Sequence, residues 1–295
     1  MKKTTSHLTL TLTTILAMGF AAKVTAQDFW AHRFATEIDI AYGGEPLQTL
    51  DRYIQGERVG EPDYFKPAQD PRPTLMWIHG GGWVVGDKAD NLANVMPYVE
   101  AGWNVYNVNY RQGPNTAPQA VDDVMCAYRF IVDQVKAAGQ DPDNIVVSGA
   151  SAGGHLSLAV GLLNVKGDHP CRSAHPPVAV VNWFGITDIS LVDEFLQENR
   201  PNTNYARTWA GSVEAVQEVS DQYSPIYLIS DAAPPIITIH GTDDTVVPYD
   251  QAESFHSSLN TPNELVTLAQ GNHSGFTDAQ YNEAYLRIFK FLKAL

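Results

Sequence analysis

Three short stretches of this chain carry side chains suited to nucleophilic attack on a carbonyl carbon. In VVSGASAGGHLSLAV, Val146 to Val160, Ser151 has only Gly and Ala as neighbours. In ITIHGTDDTVVPYD two acids, Asp243 and Asp244, follow an apolar run, and in LVTLAQGNHSGF His273 does so. A serine hydroxyl attacks only when a base removes its proton, and the base must be oriented by an acid. Ser151, an acid and His273 supply these in chain order: 93 residues separate Ser151 from Asp244, and 29 separate Asp244 from His273. His273 is the best base of nine histidines. His7 falls in the first 26 residues, which read as a leader. His79 and His240 end apolar runs in H-G turns and read as structural, while His155, one turn after the serine, reads as buried support. His32, His169, His175 and His256 have no such context. Between Asp243 and Asp244 the residues alone do not choose.

A fourth stretch, WIHGGGWVVG, Trp77 to Gly86, places three glycines after a strand-like run. Backbone without side chains approaches a substrate closely and aims N–H groups at it. The N–H groups of Gly81 and Gly82, with that of Ala152 beside the serine, are the candidate stabilisers of the oxyanion formed by attack. The rival reading is a phosphate loop. The lysine and hydroxyl of G-x-x-x-x-G-K-[ST] are missing, and no G-x-G-x-x-G opens a helix. Trp83, Trp183 and Trp209 are the candidate substrate contacts, with ordinary core packing as their alternative. The two cysteines have neither zinc-site nor redox spacing. The chemistry needs no metal and no organic cofactor.

These residues work only if elements hold them. Short apolar runs read as strands buried on both faces: Thr74–His79, Asn104–Asn109, Asn144–Ser148, Val178–Phe184, Pro235–His240 and Glu264–Leu268. Between them fall helix candidates Lys88–Ala101, Ala117–Ala138, Ser151–Leu163, Tyr249–Leu259 and Phe276–Ala294. The alternation implies an α/β fold with a doubly wound, mostly parallel sheet. Before it, TEIDIAY and LQTLDRYI alternate apolar and polar residues, as an antiparallel edge hairpin does. Residues 187–221 interrupt the rhythm and carry Phe195, Tyr205 and Trp209; they read as a small lid insertion over the C-terminal edge of the sheet. The G-x-S-x-G of Gly149 to Gly153 then stands at a sharp strand-to-helix turn. Such a turn lifts the serine above the sheet, crowds its neighbours so that only small residues fit, and leaves it at a helix N-terminus that favours developing negative charge.

The chain has 295 residues, 44% hydrophobic and 18% charged, which suits one large α/β domain. Residues 1–26 read as a signal peptide: Lys2 and Lys3, an apolar run, then Val24 and Ala26 before the cut. A secreted or periplasmic location follows, with residues 27–295 as the mature single domain. Loss of the leader removes Lys2, Lys3 and Lys23 and no acid, leaving 16 Lys and Arg against 33 Asp and Glu, a formal charge of −17. That argues against nucleic acid or an anionic membrane as partner, and mildly against a strongly anionic substrate. Cys126 and Cys171, 45 residues apart, are either a disulfide or two buried thiols. Oligomeric state leaves no trace in the sequence.

The combination of HGGGW (His79–Trp83), GASAGGH (Gly149–His155) and HGTDDTVVP (His240–Pro248) resembles the α/β-hydrolase superfamily. It is most similar to secreted esterases of the hormone-sensitive-lipase and bacterial feruloyl-esterase type, from about Glu37 to the C-terminus. The resemblance implies that Asp244 is the triad acid and that Tyr110-Arg111 pairs with Asp122 or Asp123. It also implies a carboxylesterase acting on a small-molecule or polysaccharide-linked ester, such as acetylated or feruloylated plant polysaccharide. Rival readings on this scaffold are an aryl formamidase or other amidase, a serine peptidase, and a binding domain that has lost catalysis. The peptidase usually carries an extra domain for which this chain has no room. The binding domain tends to lose the serine or histidine, and both are present.

Overall fold

The computed structural model describes residues 34–59 and 64–295; the leader expected over residues 1–26 lies outside them. The apolar runs form strands: β1 Phe34–Ala41, β2 Thr49–Val59, β3 Tyr64–Pro67, β4 Thr74–Ile78, β5 Asn104–Val108, β6 Ile145–Ala150, β7 Ala179–Trp183, β8 Ile236–Gly241 and β9 Asn263–Leu268. They make one sheet in the order β1-β2-β5-β4-β6-β7-β8-β9, with β3 paired to β2. From β5 to β9 every neighbouring pair is parallel, while β1/β2, β2/β3 and β2/β5 are antiparallel. The expected edge hairpin is thus present. The short β3 was not expected; a four-residue strand ending in Pro67 carries no alternation to read.

Alternate side chains of the central strands feed two cores. Met76, Ile78 and Val147 pack with Val124, Tyr128 and Ile131 of α2 (Ala117–Ala137) and Leu156 and Val160 of α3 (Ala152–Val165). On the other face Leu75, Trp77, Val181 and Ile239 pack with Val95 and Tyr98 of α1 (Leu92–Glu100) and Ala284 and Ile288 of the C-terminal helix Asp278–Lys293. Burial of these apolar surfaces is the main drive for stacking helix on sheet. The edge hairpin is clamped by Lys88, whose buried ammonium lies 2.8 Å from Asp39 and 2.9 Å from Asp51. Burial disfavours that charge, but hydrogen bonds and ion pairs with the two carboxylates outweigh it and raise its pKa.

Residues 187–221 are helical: α4 Ile189–Asn199, a single turn at Pro201–Thr203, α5 Tyr205–Ala210 and α6 Val213–Tyr223. Asp188, Asn204 and Ser212 cap the three helices, each side chain accepting a first-turn N–H. A short α7 (Pro225–Leu228) leads back to β8, and α8 (Tyr249–Ser257) and α9 (Asp278–Lys293) follow. Cys126 of α2 and Cys171, in the loop after α3, form a disulfide with Cα atoms 4.9 Å apart. Among the described residues no helix is long and apolar enough to cross a membrane.

Candidate active site

The parallel strands β4, β6, β7, β8 and β9 end along one edge, where Ile78 pairs with Gly149, Ala150 with Trp183 and Gly241 with Leu268. The loops that leave this edge bring the distant motifs together, as in other open α/β sheets. Ser151 follows β6 at φ 57° and ψ −122°, a backbone region that costs a non-glycine residue on the order of 1–3 kcal/mol. Its own N–H donates to the Trp183 carbonyl at 2.8 Å, and its carbonyl accepts from His155 at 3.0 Å. The small neighbours are required: a Cβ on Gly153 would lie 2.1 Å from the Ile78 carbonyl oxygen.

Ser151 Oγ lies 2.9 Å from His273 Nε2, and His273 Nδ1 lies 2.8 Å from Asp244 Oδ2. With a carboxylate at Nδ1, the ring proton sits there, and Nε2 is left to accept the serine proton. The Phe184 ring meets the imidazole edge-on at 4.7 Å and limits its swing. Asp244, not Asp243, makes this contact; Asp243 accepts from the Thr242 hydroxyl at an exposed position. Asp244 Oδ1 accepts the N–H groups of Val246 and Val247 at 2.8 and 2.9 Å. Its other oxygen accepts a second histidine, His240 Nε2, at 3.1 Å. Burial pushes the Asp244 carboxyl up, but the bonds from His240, His273 and the Val247 N–H win and hold it well below the usual carboxylate range.

From sequence, His240 reads as a structural residue at a strand end. It is fully buried, and its Nε2 faces two acceptors, Asp244 Oδ2 and the Val247 carbonyl at 3.0 Å. Nε2 therefore carries the proton, and His240 donates to the same oxygen as His273. The spacing that signals this is H-G-x-x-D, which turns the acid back over the histidine four residues before it.

The glycine loop after β4 curls tightly. Gly81 has φ +111°, and a Cβ there would fall 1.8 Å from the Val85 carbonyl oxygen. The Gly81 carbonyl accepts from Val84 and Val85 at 3.1 Å, whereas the N–H groups of Gly81 and Gly82 bond to no other described residue. Ala152, first residue of α3, has an N–H with no helical partner. The loop is braced from below by Tyr110, stacked on His79 at 4.4 Å with its hydroxyl on the His79 carbonyl. The neighbouring Arg111 pairs with Asp123, while Asp122 meets His169.

The three tryptophans are not cleft walls, which corrects the expectation for Trp83, Trp183 and Trp209. All three are fully buried. Trp83, at φ 61°, turns inward from the glycine loop, stacks on Trp209 at 4.3 Å and donates its Nε1–H to His155 Nδ1 at 3.1 Å. His155 in turn meets the Tyr223 carbonyl at 2.9 Å. Burial lowers the His155 pKa to about 4, and the Tyr223 bond only partly opposes this. Trp183 packs on Tyr285 beneath the sheet. The aromatic walls of the cleft, about 560 Å³, are instead Phe184, Tyr205 and Tyr281, with Asn91, Asn94 and Arg200 between them. A second cavity, about 650 Å³, lies at the other end of the strands by β2 and β3, with no serine, cysteine or histidine in its wall.

Residues 63–259 match the family model described as BD-FAE. Esterase LipC of Mycobacterium tuberculosis is 32% identical over 241 residues, which is 77% of this chain and 56% of LipC. The isoprenylcysteine alpha-carbonyl methylesterase ICME of Arabidopsis thaliana is 26% identical over 287 residues, or 92% of this chain and 63% of ICME. The chain spans about half the length of the curated relatives it matches. The crystal structure of esterase B from Lactobacillus rhamnosis superposes with a TM-score of 0.70 at 20% identity, covering 89% of this chain and 86% of that one. At that identity the likeness concerns the fold.

Proposed function

The chain belongs to the BD-FAE family of α/β-hydrolase carboxylesterases, and from that premise we propose that it is a serine carboxylic-ester hydrolase working through an acyl-enzyme. The observation that carries the reading is the unbroken run from Ser151 Oγ through His273 to Asp244, with contacts of 2.9 and 2.8 Å, at a strained strand-to-helix turn.

In this mechanism His273 Nε2 takes the Ser151 proton as Oγ bonds to the ester carbonyl carbon. The carbonyl electron pair moves to oxygen, and the N–H groups of Gly81, Gly82 and Ala152 receive the resulting charge. The intermediate collapses, the carbon–alkoxide bond breaks, and the leaving oxygen takes the proton from His273. Water then repeats the cycle on the acyl-enzyme with His273 as base. Asp244, kept ionised, balances the imidazolium in both halves. Every proton and electron pair is handled by these groups and water.

The substrates are short-acyl or aromatic-acid esters, with feruloyl or acetyl esters of plant polysaccharide as natural candidates. Supporting this are the mixed walls: aromatic faces of Phe184, Tyr205 and Tyr281 for a flat ring or sugar, and the amides of Asn91 and Asn94 for hydroxyls. Helices α4 to α6 form the lid over this cleft. Export is part of the same reading, because a disulfide persists in oxidising compartments; N-terminal sequencing of the protein recovered outside the cytoplasm should begin near Gln27.

The test is a panel of p-nitrophenyl acetate, butyrate and decanoate, methyl ferulate and acetylated xylan, offered to wild type and Ser151→Ala. Turnover of short or feruloyl esters should vanish in the variant, and an organophosphate should label Ser151. Turnover retained by pure Ser151→Ala protein would sink the assignment.

A further inference from the structure

Arg200, at the C-terminal end of α4, lines the Ser151 cleft and pairs with no carboxylate among the described residues. No Asp or Glu lines the cleft, so nothing within it competes for the guanidinium. The side chain is also aimed. Its Nη2 donates to Thr245 Oγ1 at 3.2 Å, and Thr245 Oγ1 donates to Asn272 Oδ1 at 3.4 Å, next to His273 in the chain. One neutral hydroxyl uses one of five N–H donors, and the remaining fork matches a carboxylate.

The position says which part of a substrate Arg200 meets. His273 must return its proton to the leaving oxygen, so the alcohol part of the ester lies on the His273 side of the cleft. Arg200 is tied to that side through Thr245 and Asn272. We propose that Arg200 is a specificity residue and that the cleft favours esters whose alcohol part bears a carboxylate, such as a sugar acid or a hydroxybenzoate. The proposal rests on the ester-hydrolase reading above. The acidic net charge does not oppose it, because at physiological salt exposed charges are screened beyond about 8 Å, whereas Arg200 acts at contact.

Two esters test it, 4-acetoxybenzoate and 4-acetoxybenzamide, which share the acyl group and ring and differ in the charge at the far end. The quantity read is the ratio of their kcat/KM values, in which variant and wild type share the same leaving-group difference. From wild type to Arg200→Gln that ratio should fall roughly ten-fold, through KM of the carboxylate ester, with Arg200→Lys between. The wild-type ratio should also fall with added salt. An unchanged ratio in Arg200→Gln overturns the proposal. Failure of the hydrolase reading looks different: neither ester is turned over, or turnover survives Ser151→Ala. The preference is then read without chemistry, by calorimetric titration of 4-hydroxybenzoate and 4-hydroxybenzamide into Ser151→Ala protein. Selective binding of the carboxylate that disappears in Ser151→Ala/Arg200→Gln supports it; equal binding, or none, overturns it.

Discussion

Asp244 Oδ2 receives hydrogen bonds from two histidines, and the two have different tasks. His273 is half-buried and, in the proposed mechanism, exchanges protons with Ser151. His240 is sealed in the core, with Nε2 bonded and Nδ1 facing no partner. Its donated bond holds the carboxylate at the angle His273 needs and helps keep it ionised. Replacing it by Phe removes a charge-assisted bond of roughly 1.5–3 kcal/mol, part of which is spent in the ground state. We expect kcat to fall on the order of ten-fold in His240→Phe. His240→Gln, whose amide nitrogen reaches toward the place of Nε2, should recover part of it. Steady-state kinetics on p-nitrophenyl acetate checks this, and equal rates in Phe and Gln variants would assign His240 to packing alone. Most of the candidate triad was legible because three loops carried suitable residues in the right order, although the acid loop offered both Asp243 and Asp244 and only the family resemblance chose between them. The role of His240 was hidden, since a histidine at a strand end looks the same whether it bonds to backbone or to the acid.

At the scale of elements, the glycine loop and the helix after Ser151 are joined by the buried set Trp83, His155 and Trp209. This set fixes the loop that presents the Gly81 and Gly82 N–H groups. It also makes stability depend on pH. The native His155 pKa is about 4, below the ordinary value near 6.5. Between those values the unfolded chain binds a proton that the native fold refuses. Stability therefore falls as the pH drops from about 6.5 toward about 4, by at most ~1.4 kcal/mol per unit, and the loss is complete below the native value. Thermal unfolding across that range should show the slope in wild type and a flatter line in His155→Gln. Sequence alone placed the central parallel strands within two residues, because runs such as Thr74–Ile78 and Ile236–Gly241 are apolar throughout, but it began the helix after β4 at Lys88, where a 3-10 turn precedes α1 at Leu92, and it ended β2 five residues short of Val59. It misjudged the tryptophans because direction is set by backbone angle: Trp83 turns inward at positive φ, which composition does not encode. Nor could spacing reveal Asn91, Arg200 and Tyr281, which come from three distant segments and meet only when the sheet edge forms.

For the whole molecule, the edge hairpin, the sheet and the helices α4 to α6 are packed as one body, and the disulfide pins α2 to the loop beyond α3. Closing a 45-residue separation removes unfolded conformations worth about 4 kcal/mol in the loop-entropy account. Cys126→Ser/Cys171→Ser should therefore unfold at lower temperature, by several degrees or more for a chain of this size. Reductant should lower the wild-type midpoint and leave that of the double variant where it is, a comparison that calorimetry makes directly.

The order of parts along the chain has a consequence for biosynthesis. The glycine loop and Ser151 lie within the first 151 residues, whereas Asp244 and His273 arrive within the last 52, in the loops that follow the final two strands. In the proposed mechanism a ribosome-bound or truncated chain thus has the nucleophile and no base to arm it. In that mechanism Ser151 is expected to become reactive only once β8 and β9, the last strands to be translated, have joined the sheet.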